Sequence, residues 1–147
     1  MATLFTKIIE GEIPGRFVWR DEQAVVFLTI APITPGHVLV VPIEETDHWI
    51  DLDPERAAHL MRVAREVGHA QMQVFTPRRI GMIIAGLEVP HCHLHLVPIN
   101  VEAELSFSRA DHDPEPTALD DAADRLRGAL RGLGHGDRVD AAAGSRT

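Results

Sequence analysis

His91-Cys92-His93-Leu94-His95-Leu96-Val97-Pro98 sets three of the chain's nine histidines at alternate positions. In an extended strand, residues i, i+2 and i+4 share one face, so the stretch predicts three imidazoles in a row on one side of a sheet. Leu94, Leu96 and Val97 point to a strand with a well-buried face. Imidazole titrates near pH 6.5, which suits it to nucleophilic and acid–base work at neutral pH.

Plain packing explains the row poorly. A lone histidine is more often a satisfied core residue than a reactive one. Three on one face would each need partners for both ring nitrogens. A polar surface strand conflicts with the apolar neighbours. Zinc is the chemical rival. The Cα atoms of His91 and His95 lie about 13 Å apart on a straight strand, whereas zinc–nitrogen bonds are about 2.0–2.1 Å. Three rings cannot converge from such a strand, but two could join a remote ligand such as His37 or Glu88, so the row alone leaves zinc open. A nucleophile fits the spacing better. His93 would attack, and His91 and His95 would position it and hold an anion. Attack of an imidazole nitrogen on phosphorus gives a phosphoramidate that water later hydrolyses, splitting one hard step into two. Upstream, Ala85-Gly86-Leu87-Glu88-Val89-Pro90 contains a glycine that lets backbone approach a ligand, and backbone N–H groups there could bind phosphate.

The flanking sequence predicts the frame. Leu4 to Glu10 reads as a short helix with Phe5, Ile8 and Ile9 on one side. A turn at Gly11 to Gly15 leads to strands at Phe17 to Trp19 and Ala24 to Leu28, joined as a hairpin by Arg20 to Gln23. Two prolines and a glycine make Ala31 to Gly36 a loop. His37 to Val41 is the next strand, stopped by Pro42. Asp53-Pro54 is a helix start, and Ala57, Leu60, Met61, Ala64, Val67 and Gln71 continue it at helical spacing for about five turns. Arg79 to Ala85 and Pro90 to Ile99 are the last strands. A second amphipathic helix is expected from about Thr117 to Leu133, its arginine-rich part, Arg125 to Arg131, reading as a solvated face. The chain from Gly134 onward is Gly, Ala and charge, and is expected to be disordered. The order implies an α+β fold with an antiparallel sheet and packed helices, a single domain over residues 1–133 with its core at about 4–100.

Composition narrows the class. The chain has 147 residues, 45% hydrophobic and 24% charged, ordinary values for a globular domain. A formal net charge of −8 removes any global basic field for nucleic acid. No apolar run is long enough to span a bilayer, and Met1 to Lys7 lacks a signal peptide's regions. One cysteine excludes an internal disulfide and suits a reducing compartment. The expectation is a soluble cytoplasmic protein with no nucleic-acid or membrane partner.

With these residues in view, the chain resembles the histidine triad family of nucleotide hydrolases and transferases. His-x-His-x-His, here His91-Cys92-His93-Leu94-His95, carries the likeness. Phe5-Thr6-Lys7-Ile8-Ile9-Glu10-Gly11-Glu12-Ile13-Pro14, Phe27-Leu28-Thr29-Ile30-Ala31-Pro32 and Pro35-Gly36-His37-Val38-Leu39-Val40-Val41-Pro42 extend it from about Leu4 to Pro98. The resemblance implies a five-stranded antiparallel sheet, a homodimer with a continuous ten-stranded sheet, and a purine nucleoside monophosphate pocket. It implies that Phe5, Ile8, Ile13, Phe27 and Ile30 wall the base and that His93 is the nucleophile. It further implies that His91 supports His93, while His37 and His95 reach the phosphate. No redox cofactor is implied and no metal is required. The chain also departs from the family's pattern. Thr29 stands where many members grip the ribose with a carboxylate, Leu87 where Gln is common, and Glu88 where some carry Ser. The glycine-rich loop before the triad, with Gly86, is short. The expected activity is cleavage of a nucleoside phosphoramidate or dinucleoside polyphosphate through a nucleotidyl-histidine. A nucleotide-binding module with little catalysis and a zinc-dependent hydrolase are the alternatives.

Overall fold

The structure is a computed structural model, and it describes residues 2–143. Helix α1 (Leu4–Ile9) precedes strands β1 (Phe17–Arg20), β2 (Ala24–Leu28) and β3 (Val38–Pro42). The long helix α2 (Pro54–Phe75) follows, then β4 (Arg79–Ile83), β5 (Leu94–Ile99), α3 (Pro116–Gly132) and α4 (Gly136–Ala143). The strands form one antiparallel sheet in the order β1-β2-β3-β5-β4. The expected α+β class and five-stranded sheet are both present.

Alternation along the central strands sorts two cores. Val26, Leu28, Val38, Val40, Leu94 and Leu96 meet Leu60, Val63, Ala64 and Val67 of α2 and Leu126 and Leu130 of α3. Val25, Phe27, Leu39 and Val41 face the other way and meet Phe5, Ile8 and Ile9 of α1. Every residue of β2 and β3 is buried, because helices cover both faces. Each buried Val, Leu or Phe contributes about 1.5–3 kcal/mol. Local chemistry fixes the helix ends. Thr3 caps α1 by accepting the Thr6 N–H (3.1 Å), and Asp53 caps α2 by accepting the Arg56 N–H (3.0 Å), with Pro54 at the first helical position. On α2 the buried position is Val63, whereas Met61, read from spacing as part of the apolar stripe, is 53% exposed.

Three further expectations are corrected. First, the ladder of β5 begins at Leu94, four residues later than Pro90. Its register with β3 would set Cys92 against Pro42, which has no N–H to give. The Cys92 N–H bonds to the Thr46 carbonyl instead (2.7 Å). Second, residues 136–143 are helical rather than disordered. Val139 and Ala142 are buried, and the His135 ring packs at a tilt against Trp19 with centroids 5.1 Å apart. Two anchors in a run of Gly, Ala and charge give almost no periodic signal, so packing decides this helix. The rest of the expected tail, 144–147, lies outside the described residues. Third, Arg127 is not solvated. It donates from Nε to the Phe17 carbonyl (2.8 Å) and pairs with Asp124 (2.8 Å), with 17% of its side chain exposed. Among the described residues, no helix is long and apolar enough to cross a membrane.

Candidate active site

The histidine row survives its missing ladder. His91 and His93 lie in the extended lead-in to β5, and His95 is on the strand opposite Leu39. Cys92, Leu94 and Leu96 turn to the α2 core, so the three imidazoles share the α1 face. Phe5 of α1 meets two of them edge-on, with ring centroids 5.9 Å from His91 and 4.7 Å from His93. His93 and His95 rings are 4.8 Å apart, and His37, at the foot of β3, adds a fourth ring 5.2 Å from His95.

Hydrogen bonds assign the tautomers. His93 Nδ1 lies 2.6 Å from the His91 carbonyl, which can only accept. That nitrogen therefore carries the hydrogen, and in the neutral ring Nε2 keeps a lone pair. Among the described residues Nε2 has no protein partner. A second chain starts in the loop before β3. The Ile33 N–H donates to His37 Nδ1 (3.0 Å), so the proton of neutral His37 sits on Nε2, which donates to His95 Nδ1 (2.9 Å). His95 in turn carries its proton on Nε2, a donor without a protein acceptor among the described residues. The site thus presents one nucleophilic nitrogen and one N–H donor on neighbouring rings.

Burial keeps these rings neutral. It lowers His37 to about 3, helped by the adjacent His95, and lowers His95 to about 4, helped by His93. His93 also falls, chiefly by burial, with His91 adding to the drop and the His91 carbonyl and Glu88 carboxylate opposing it. His91 is lowered by burial against the pull of the Pro42 carbonyl and Glu45. Cys92, on the opposite face, is raised to about 11 by burial and is not an activated thiol.

The remaining expected residues fall into two groups. Phe5, Ile8 and Phe27 are buried in the α1-side core, with Ile13 packed at its edge. Their first role is therefore structural; of these, Phe5 also touches the histidines. Ile30, 75% exposed, and Leu87, 95% exposed, are open to solvent. Thr29 sits after β2 with its hydroxyl accepting the Ala31 N–H (3.2 Å). Gly86 has φ +79°, a left-handed backbone that favours glycine, and its loop carries Glu88 toward His93. Among the described residues, no group of three or more His, Cys, Asp or Glu side chains is gathered to hold a metal ion.

Sequence reading missed Phe107, whose ring stands edge-on to His95 at 4.9 Å while 46% exposed. It lies in a polar, proline-containing connection with no periodic signal. Thr3 was also missed: its hydroxyl lies 2.7 Å from His91 Nδ1 across 88 residues of sequence.

Comparison with known proteins agrees with this geometry. A HIT domain profile matches residues 10–101. Adenosine 5'-monophosphoramidase hnt1 of Schizosaccharomyces pombe is 30% identical over 67% of this chain and 74% of its own length. Bis(5'-nucleosyl)-tetraphosphatase [asymmetrical] of the same organism is 34% identical over 58% of this chain and 50% of its own. Among solved structures, a Zn-bound histidine triad family protein from Mycobacterium smegmatis superposes with a TM-score of 0.79 at 29% identity, covering 91% of this chain and 96% of that one. With the profile spanning well over half of the residues and the triad lying inside the match, the chain belongs to the histidine triad (HIT) family.

Proposed function

We propose that this protein is a nucleotidyl hydrolase or transferase that cleaves a nucleoside phosphoramidate or dinucleoside polyphosphate through nucleotidyl-His93. The observation that carries the reading is the fixed His93 tautomer: Nδ1–H is held by the His91 carbonyl and the Nε2 lone pair is free. His93 Nε2 attacks the α-phosphorus and forms the N–P bond. The bond from phosphorus to the leaving group breaks, and the leaving group takes the electron pair and, where it is an amine, a proton from solvent. Water then attacks phosphorus and gives up a proton to solvent, the N–P pair returns to Nε2, and AMP or its analogue leaves. His95 Nε2–H, oriented through His37, would donate to a phosphoryl oxygen as charge grows there. The phosphoramidase and tetraphosphatase relatives support both substrate classes. Phe5, Ile8, Ile13, Phe27 and Ile30 are proposed for the base, and the Gly86–Glu88 loop for the phosphate.

The decisive comparison is His93→Ala against wild type on adenosine phosphoramidate and diadenosine tetraphosphate. The variant should lose turnover by at least roughly 10³-fold. Rapid-quench intact mass of wild type should show one nucleotidyl adduct that the variant lacks. Equal turnover by the two proteins would sink the mechanism.

A second reading, nucleotide binding with little turnover, draws on three observations. Thr29 spends its hydroxyl on a local turn, Leu87 is fully open, and the Glu88 carboxylate stands near His93. Calorimetry showing AMP binding by a protein silent on both substrates would favour it.

A further inference from the structure

Behind His91 a line of side chains runs out to the surface. The Thr3 hydroxyl donates to His91 Nδ1 at 2.7 Å and accepts the Thr6 N–H at 3.1 Å, and Thr6 Oγ1, 3.2 Å from Thr3 Oγ1, donates to Glu45 Oε1 at 2.5 Å. Glu45 also accepts the Thr3 N–H at 2.8 Å. At the other end His91 Nε2 donates to the Pro42 carbonyl at 2.7 Å. Both nitrogens of a fully buried ring are thus held, one by β3 and one by the first turn of α1.

This arrangement does more than cap a helix. The carbonyl that fixes the His93 tautomer belongs to His91 itself. Rotation of the His91 ring would break both of its ring bonds and remove the side-chain anchor from the backbone that carries that carbonyl, leaving it held by the His91 and Cys92 N–H groups alone. The pattern is a nucleophile, an orienting group and a third group that holds the orienter, extended by two hydroxyls to an exposed carboxylate. Charge points the same way. When Nε2 of His93 bonds to phosphorus while Nδ1 keeps its hydrogen, the ring is cationic. The Glu45 carboxylate is the negative end of the line that ends on His91, and Glu88 is the carboxylate that acts on His93 directly.

We propose that Thr3, Thr6 and Glu45 are positioning residues for the nucleophile, holding His91 so that its carbonyl presents His93 with Nε2 free. The role rests on the reading of His93 as nucleophile, but its structural half can be measured without turnover.

The test uses the full chain and adenosine 5'-monophosphoramidate as probe. Glu45→Gln and Thr6→Val should lower kcat by about five- to ten-fold with KM held within about two-fold. Thr6→Ser should restore most of it. By ¹⁵N NMR of the imidazoles, both variants should lower the titration point of His91 and reduce the fraction of His93 carrying its hydrogen on Nδ1. Thr3→Val should do the same more strongly, with rescue by Thr3→Ser; if Thr3→Val does not fold, the two other positions carry the test. A helix-anchoring role alone would lower the melting temperature while leaving the His91 titration and the His93 tautomer unchanged, and that result overturns the proposal. A wild-type protein inactive on the probe would count against the enzymatic reading only, because the NMR comparison still decides the positioning.

Discussion

At the residue scale, the site is built by giving each imidazole nitrogen a defined partner. His37 is the clearest case. Its proton sits on Nε2 because a backbone N–H occupies Nδ1, and this makes His95 a donor on its outer nitrogen. His37→Ala should therefore remove the orientation of His95 and slow turnover by about 10–100-fold, a loss visible in kcat more than in KM. The pH profile follows from burial. His37 and His95 titrate near 3 and 4, and His93 also lies below its usual range, so all three rings are neutral at pH 7. Activity should be flat from about pH 6.5 upward and fall in acid as His93 Nε2 gains a proton. A profile rising steadily from pH 6.5 to 8 would contradict this. Phe107 makes a separate prediction. Half exposed and edge-on to His95, it forms an aromatic wall beside the ring that the proposed mechanism places at the phosphate. Phe107→Ala should raise KM several-fold for substrates with an aromatic leaving group and leave small phosphoramidates nearly unchanged, as steady-state kinetics on the two classes would show.

At the element scale, the loop into β3 and the helix α2 are fitted to one another. Gly36 has φ +88°, and a Cβ there would stand 2.2 Å from the Phe75 ring at the end of α2. Its carbonyl also accepts a bond from the buried Gln71 Nε2 (2.9 Å). Gly36→Ala should destabilise the fold by about 2–4 kcal/mol, through left-handed strain and overpacking together. Because His37 is the next residue, activity at a permissive temperature should fall as well; chemical denaturation with parallel kinetics would read both. The helices beyond the triad are elements of the same core. Leu126 and Leu130 of α3 and Val139 of α4 join the α2-side cluster. The strand that carries His95 therefore shares its core with a layer that extends past the segment matched by the family profile.

At the scale of the whole molecule, the buried imidazoles make stability depend on pH. His37, His91, His93 and His95 have folded values below the unfolded value of about 6.5. The unfolded chain therefore binds more protons than the folded one as pH falls below about 6.5. Their stabilisation is present above that pH and is lost progressively toward the folded values, near 3 and 4 for His37 and His95. Each such ring adds a slope of up to about 1.4 kcal/mol per pH unit. The melting temperature should drop steeply between about pH 6.5 and 4, and the His37→Ala slope should be shallower than that of wild type. Assembly belongs to this scale too. β4 pairs only with β5 and stands at the sheet edge, and Met61 and Met72 are exposed on α2. We propose the homodimer that the family resemblance implies, for which an edge strand and exposed apolar side chains on α2 are suitable surfaces. Light scattering at micromolar concentration should give twice the chain mass.

The sequence alone determined the residues that alternate and the elements that flank them. Period-two patterning and turn residues mark the hairpin and β3, and Asp53-Pro54 marks the start of α2, because these signals depend on neighbours a few residues apart. The same local signal marked His91, His93 and His95 as sharing one face. Tertiary structure decided what each ring nitrogen touches. Ile33, His37 and His95 are joined by hydrogen bonds, and Thr3 meets His91 across 88 residues of sequence. Phe107 reaches His95 from a connection without periodicity, and α4 forms because Val139 and Ala142 find a buried surface. None of these contacts leaves a mark in the local sequence. Tautomer, proton affinity and nucleophilicity depend on partners brought together by folding, so the triad was legible as a pattern, while its chemistry was set by the surrounding fold.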